Sequence, residues 1–281
     1  MTTWKVPAGV ACTLAIAPLA AAQVVVGVDN PDVPVYLVDV NTGVATELFT
    51  PSDYGTDGIW GLAADDINGY LYYSGGTELY RVPYDTLEPE FVADFASNDA
   101  IMTIAGLGFN PQTGLLYGSR TAGDEGIYEI NPTDGHATLL YEVTGSAFDL
   151  GGFDYDVTTD AFYGLNDDIT PFGRGLFEID PFSQNAAHIV DYPGGQTDVD
   201  GLAVGDGRAY FVTDDPGEIF IYNLLSSEWE TSIASPWFSS ELFSGATWAP
   251  GLVPSPSSLA LLAMAGFMIN RRHHRLAGRR A

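Results

Sequence analysis

A glycine heading a short apolar segment recurs five times in this 281-residue chain. The copies are Gly61-Leu62-Ala63, Gly106-Leu107-Gly108, Gly152-Phe153-Asp154, Gly201-Leu202-Ala203 and Gly245-Ala246-Thr247, at steps of 45, 46, 49 and 44 residues. A second marker keeps the same period. An aromatic residue stands two places before a mostly β-branched one at Tyr36/Val38, Tyr80/Val82, Tyr128/Ile130, Phe177/Ile179 and Phe220/Tyr222. These aromatics are 44, 48, 49 and 43 residues apart. Two markers sharing one period define a repeating supersecondary unit, and such units bury their apolar faces only by stacking on one another.

Each unit reads as four short strands. After the glycine strand come a turn and an aromatic strand, Tyr70-Leu71-Tyr72-Tyr73 in one copy and Ala161-Phe162-Tyr163 in another. The marked third strand follows, then a fourth such as Ala137-Thr138-Leu139-Leu140-Tyr141. Asn41-Thr42-Gly43 and Asn110-Pro111-Gln112-Thr113-Gly114 are hairpin signals, with glycine supplying a positive φ. Four strands per unit make the blade of a β-propeller. The expectation is therefore an all-β, five-bladed β-propeller with four-stranded blades over residues 23–252. The ends are out of phase: Val24 to Thr50 supplies strands two to four, and Phe243 to Pro250 supplies a first strand alone. Joined, they complete one blade, so ring closure between the N- and C-terminal strands is expected, leaving no open sheet edge. The region loosely resembles the broad class of secreted bacterial propellers with Asn-Pro-x-Thr-Gly turns. That class includes binding proteins and enzymes, so the resemblance implies a fold and leaves function open.

The two ends differ from the middle. Lys5 is the lone charge before an apolar run from Val6 to Leu19, and small residues through Ala20 and Ala22 precede Gln23. This order predicts a signal peptide over 1–22, cleaved between Ala22 and Gln23 and handled by the Sec export machinery. At the other end stand Val253, Pro254, Ser255 and Pro256, then an apolar run from Leu259 to Ile269, then Arg271, Arg272 and Arg275. The run is about a dozen residues, shorter than the roughly 20 of a comfortable span. The arginines favour a cytoplasmic tail. This segment, 253–281, resembles the PEP-CTERM sorting signal of Gram-negative, exopolysaccharide-producing bacteria, with Ser255 where that family carries Glu. The resemblance implies an exosortase-type membrane protease as partner. It also implies transient inner-membrane anchoring by the apolar helix, then delivery to the cell surface or the exopolysaccharide matrix of a biofilm.

The only cysteine, Cys12, lies in the signal segment, so the exported domain has no disulfide or thiol chemistry. All 37 acidic residues fall between the two ends, against four basic ones, Arg81, Arg120, Arg174 and Arg208, for a formal charge of −33. Such a surface repels nucleic acid, which is excluded as a partner, and anionic membranes. It favours solubility, or divalent and cationic ligands.

Propeller geometry puts the loops entering the first strands on one face with the loops joining strands two and three. Those loops carry Asp57, Asp99, Asp149, Asp198, Asp200 and Glu241 in the first set, and Asp29, Asp167, Asp168 and Asp214 in the second. Asp57, Asp149, Asp198 and Asp200 are the candidate ligands for Ca²⁺, which takes six to eight oxygens. Trp60, Asp167 and Asp214 are the candidate ligand-binding residues, Trp60 being placed to stack on a sugar beside the channel glycine. Asp65-Asp66-Ile67-Asn68-Gly69 lacks the distal Glu of a calcium loop and reads as a hairpin turn on the opposite face. No histidine cluster or nucleophile elbow marks a catalytic centre. Two readings stand: a non-catalytic binding or structural module, and a secreted enzyme, either a glycoside hydrolase or a Ca²⁺-dependent lactonase, using the acidic face.

Overall fold

The computed structural model describes residues 22–253, except 99, 122–124, 144–147, 198, 215–216 and 239–240. Five antiparallel sheets stand around one axis. Blade 1 is built from both ends of the described chain: Ser244–Trp248 innermost, then Gln23–Val28, Val35–Asp39 and Val44–Phe49. Blade 2 is Gly61–Asp65, Tyr70–Ser74, Glu78–Pro83 and Glu90–Asp94. Blade 3 is Leu107–Asn110, Leu115–Arg120, Gly126–Ile130 and Ala137–Glu142; blade 4 is Leu150–Asp156, Ala161–Asn166, Gly175–Asp180 and Asn185–Val190. Blade 5 is Gly201–Gly205, Arg208–Val212 and Glu218–Asn223, with its outer strand split into Glu228–Trp229 and Ile233–Ala234. The split departs from the expected four strands. The last strand of blade 5 pairs in two short pieces, with Thr231 and Ser232 between them; the Glu230 N–H still donates to the Ile221 carbonyl at 2.8 Å.

The ring closes through one strand pair. Val24 faces Trp248, Val26 faces Ala246 and Val28 faces Ser244. The innermost strands then follow one another around the axis from blade 1 to blade 5 and back to blade 1. The two sequence markers occupy one row of this architecture. The residue after each marker glycine faces a strand-two residue that faces the strand-three aromatic: Leu62–Tyr73–Tyr80, Leu107–Gly118–Tyr128, Phe153–Gly164–Phe177, Leu202–Phe211–Phe220 and Ala246–Val26–Tyr36. In four blades the ladder to the outer strand slips at the residue before this aromatic. Such bulges add twist to the outer half of a blade.

The marker glycines are demanded by the inner ring. A Cβ on Gly61 would lie 2.2 Å from the Ala105 carbonyl oxygen, and one on Gly152 2.5 Å from that of Asp200. Inner strands of neighbouring blades approach backbone to backbone there, which only glycine permits.

The core is five hydrophobic clusters, one per blade interface. Val25 and Leu37 of blade 1 pack with Leu62, Leu71 and Val82 of blade 2. Their strand neighbours Val24, Val26 and Val38 turn the other way, onto Tyr210, Val212 and Ile221 of blade 5. Strands covered on both faces read as continuous apolar runs rather than alternating ones, which explains Val24-Val25-Val26. A two-stranded ribbon, Ala96–Ser97 with Ala100–Ile101, sits between blades 2 and 3 outside the blade pattern. Among the described residues no helix is long and apolar enough to cross a membrane. The expected signal peptide through Ala20, and the sorting segment from Pro254 through Ser255, Pro256, Arg271, Arg272 and Arg275, lie outside the described residues.

Candidate ligand cleft at the channel mouth

The inner strand of blade 4 starts at Leu150, so Asp149 stands at its entry, on the rim of the channel. Asp167 and Asp168 stand directly beyond the end of the second strand of the same blade, Ala161–Asn166. Asn166, fully buried, ties the two loops together. Its Oδ1 accepts the Asp149 N–H at 2.8 Å, and its Nδ2 donates to the carbonyls of Asp168 at 3.0 Å and Gly173 at 2.6 Å. The Asp167 N–H donates to the Asp149 carbonyl at 3.1 Å. Asp200 enters from the neighbouring blade and is buried; its Oδ1 would lie 2.3 Å from a Cβ on Gly151, so glycine there makes room for the carboxylate.

These four aspartates line one open cleft of about 410 Å³. The rest of its lining is Thr121, Arg174, Thr197, Leu242 and Phe243. Arg174 Nε donates to the Asp167 carbonyl at 2.5 Å, which fixes the guanidinium beside the acids. The Asp167 carboxylate is oriented by the Tyr192 hydroxyl, which donates to Oδ1 at 2.7 Å. The result is a polar wall of fixed acceptors and a few donors facing an apolar shelf.

The sequence-derived candidates divide. Asp149, Asp167 and Asp200 come together. Asp57 does not line the cleft: the Tyr80 hydroxyl donates to its Oδ2 at 3.3 Å in blade 2. Burial, and then the Asp57 carboxylate, push that phenol up to about 12. Asp214 is half-buried beyond the second strand of blade 5 and is absent from the cleft lining. Asp198 lies outside the described residues. Among the described residues no group of three or more His, Cys, Asp or Glu side chains is placed to hold a metal ion. Of the described acids expected to hold Ca²⁺, Asp149 and Asp200 share this site and Asp57 does not. Trp60 stands one layer back, stacked on Phe243 with ring centroids 4.3 Å apart and planes 13° apart. Phe243 is the aromatic that reaches the cleft.

Asp29 and Glu241 are held apart from this cleft by other partners. Asn30 Nδ2 donates to Glu241 Oε1 at 3.2 Å, and the Leu242 N–H donates to Asp29 Oδ1 at 3.0 Å. The sequence reading missed Arg174, Leu242 and Phe243. Arg174 could have been noticed, being one of four arginines in a middle segment with 37 acids. Asp65-Asp66-Ile67-Asn68-Gly69 is the expected hairpin turn: Asp65 Oδ1 accepts the N–H groups of Ile67 at 3.2 Å and Asn68 at 3.0 Å.

The ring of five blades and its strand-built closure define a β-propeller, and comparison with solved structures agrees. One chain of a nidogen/laminin complex superposes with a TM-score of 0.55 at 11% identity, over 80% of this chain and 97% of that one. A structural-genomics protein of Bacteroides thetaiotaomicron superposes with a TM-score of 0.53 at 13% identity, over 82% of this chain and 62% of that one. At such identities the likeness is one of fold. No family model matches the sequence, and no curated protein does.

Proposed function

We propose that this propeller is exported and works outside the cell as a non-catalytic binding module whose ligand is polysaccharide, held in the cleft of blades 4 and 5. One observation supports the ligand class. The cleft sets acceptors (Asp149, Asp167, Asp168, Asp200) and donors (Arg174, Thr121, Thr197) against the apolar shelf of Leu242 and Phe243. A sugar ring presents the complement: hydroxyls that both donate and accept, and an apolar C–H face. The formal charge of −33 between the two ends disfavours anionic polymers, so the ligand is a neutral or amino-sugar polymer. Export rests on the N-terminal pattern ending at Ala22-Gln23, and delivery on the Pro254–Arg275 segment acting as an exosortase-read sorting address. On that reading the exported protein ends near Pro256, and its intact mass reports whether the arginine tail has been removed.

The binding claim is tested by electrophoresis through gels containing neutral polysaccharides. Retarded migration that is lost in Arg174→Ala and Phe243→Ala supports it. Unaltered migration in every polymer defeats it. Release of reducing ends from a retarding polymer would move the assignment to a glycoside hydrolase using the same cleft, with Asp149 and Asp200 as the carboxyls to test first.

A further inference from the structure

The innermost strand of blade 4 runs from the acidic cleft to the opposite, hairpin face of the ring. Towards its far end, Asp154 and Tyr155 line a second and more enclosed pocket of about 170 Å³. The walls are apolar and largely aromatic: Phe109, Tyr155, Val157, Ile67 and Trp248. The indole of Trp248 is stacked on Tyr210, centroids 5.7 Å apart and planes 5° apart, and lies so close over Gly205 that a Cβ there would be 2.2 Å from its Cγ. That wall is rigid.

Among the described residues, two carboxyls are the only ionisable groups in the lining besides the Tyr155 phenol. Asp154, 3% exposed, sits at the channel end, where its oxygens accept the N–H groups of Tyr155 at 2.9 Å and Val204 at 2.8 Å, and also that of Trp248. Asp66 borders the rim, accepting the Tyr84 hydroxyl at 2.8 Å and the Gly251 N–H. Burial raises both carboxyls, Asp154 well above its ordinary range, so a cation seated beside them would favour their ionised forms. Among the described residues no lysine, arginine or histidine lines the pocket. A cavity of roughly 150 Å³ accepts a molecule the size of benzene. Aromatic faces and carboxylates together attract a cation with an apolar body, as aromatic cages do.

We infer that this pocket binds a small organic cation, an amine or methylated ammonium on a compact apolar body, held between Trp248, Phe109 and the Asp66 carboxylate. The site lies at the other end of the blade 4 inner strand from the acidic cleft, so it stands or falls separately from polysaccharide binding.

The test is calorimetric titration of the full-length protein at neutral pH with benzylamine, and with benzyl alcohol as its neutral counterpart. Saturable binding of benzylamine at one site is expected, with benzyl alcohol weaker by about tenfold or more. Asp154 is too involved in backbone bonding to be the first variant. Asp66→Asn keeps an oxygen for the Tyr84 hydroxyl and should weaken benzylamine by about tenfold. Val157 is 57% exposed, so Val157→Arg leaves the fold intact while placing an internal cation at the mouth, and it should abolish binding. Equal affinity for the alcohol and the amine overturns the proposal. So does undiminished binding in both variants, or no saturable benzylamine heat.

Discussion

At the scale of single residues, the glycine period in the sequence is a packing requirement of the inner ring. Gly61 makes the tightest such approach among the marker glycines, 2.2 Å from a would-be Cβ to the Ala105 carbonyl oxygen. Gly61→Ala should therefore cost about 3 kcal/mol of unfolding free energy, since backbone on the neighbouring strand has to yield; a denaturant melt measures this. Substitution at Gly114, where nothing lies within 4 Å, tests conformation instead, because its φ is +72°, and Gly114→Ala should cost about 1 kcal/mol. Asp66 offers a pH-resolved prediction. Burial raises its carboxyl, so the ionised form is disfavoured in the folded state, and stability falls as pH rises from the unfolded carboxylate value through the raised folded one. Asp66→Asn removes that dependence. The melting temperature of the variant minus that of the wild type should increase from about pH 4 to about pH 7. A flat difference would show that Asp66 titrates alike in both states. The sequence concealed this residue because Asp-Asp-Ile-Asn-Gly is sufficient as a turn, and nothing local reveals that Gly251, far along the chain, meets it.

At the scale of strands and blades, the sequence was legible wherever a strand is covered on both faces. Apolar runs such as Val24-Val25-Val26 and the paired markers located the inner three strands of every blade. The outer strands were harder to read. Val44–Phe49 is mostly exposed, and blade 5 breaks its outer strand in two. An outer strand packs on one edge only, so its residues are weakly constrained. Asp154 is the informative exception, an acid in a strand buried along its whole length. The inner edge of a propeller has no neighbouring strand, so its N–H groups need other acceptors. Asp154 supplies them for the inner strands of blades 5 and 1 through Val204 and Trp248. Asp154→Ala should cost about 2 kcal/mol, the relief of carboxylate burial offsetting part of the lost bonding. Hydrogen exchange should localise the loss to Val204 and Trp248. Unchanged protection at those two amides would mean that channel water replaces the carboxylate.

At the scale of the whole molecule, stability is divided among five interfaces arranged in a circle, so that each blade leans on two others. Removing residues 244–253 takes away the inner strand of blade 1 together with Ala249 and Leu252, which belong to the cluster between blades 1 and 2. The inner strands of blades 5 and 2 then each lose the neighbour they pack against on that side. The truncated protein should lose cooperative unfolding and bind a hydrophobic dye in buffer. A truncated chain melting like the intact one would contradict closure through this strand. Ring number and closure could be read from the out-of-phase ends because repeats are counted in the chain. Which carboxylates meet could not be read, because that depends on the spacing of loops across the axis. Asp149, Asp167 and Asp200 converge, while Asp57, equally plausible in the sequence, is held by Tyr80.

Closure by two antiparallel end strands also fixes how the propeller can be mounted. Gln23 begins its strand where Trp248 ends the other, and the Ala249 N–H donates to the Gln23 carbonyl. Chain entry and exit thus sit side by side, on the hairpin face. The chain therefore leaves the disc at Val253 on the side away from the mouth bearing Asp149, Asp200 and Phe243, so a tether attached there would leave that mouth uncovered.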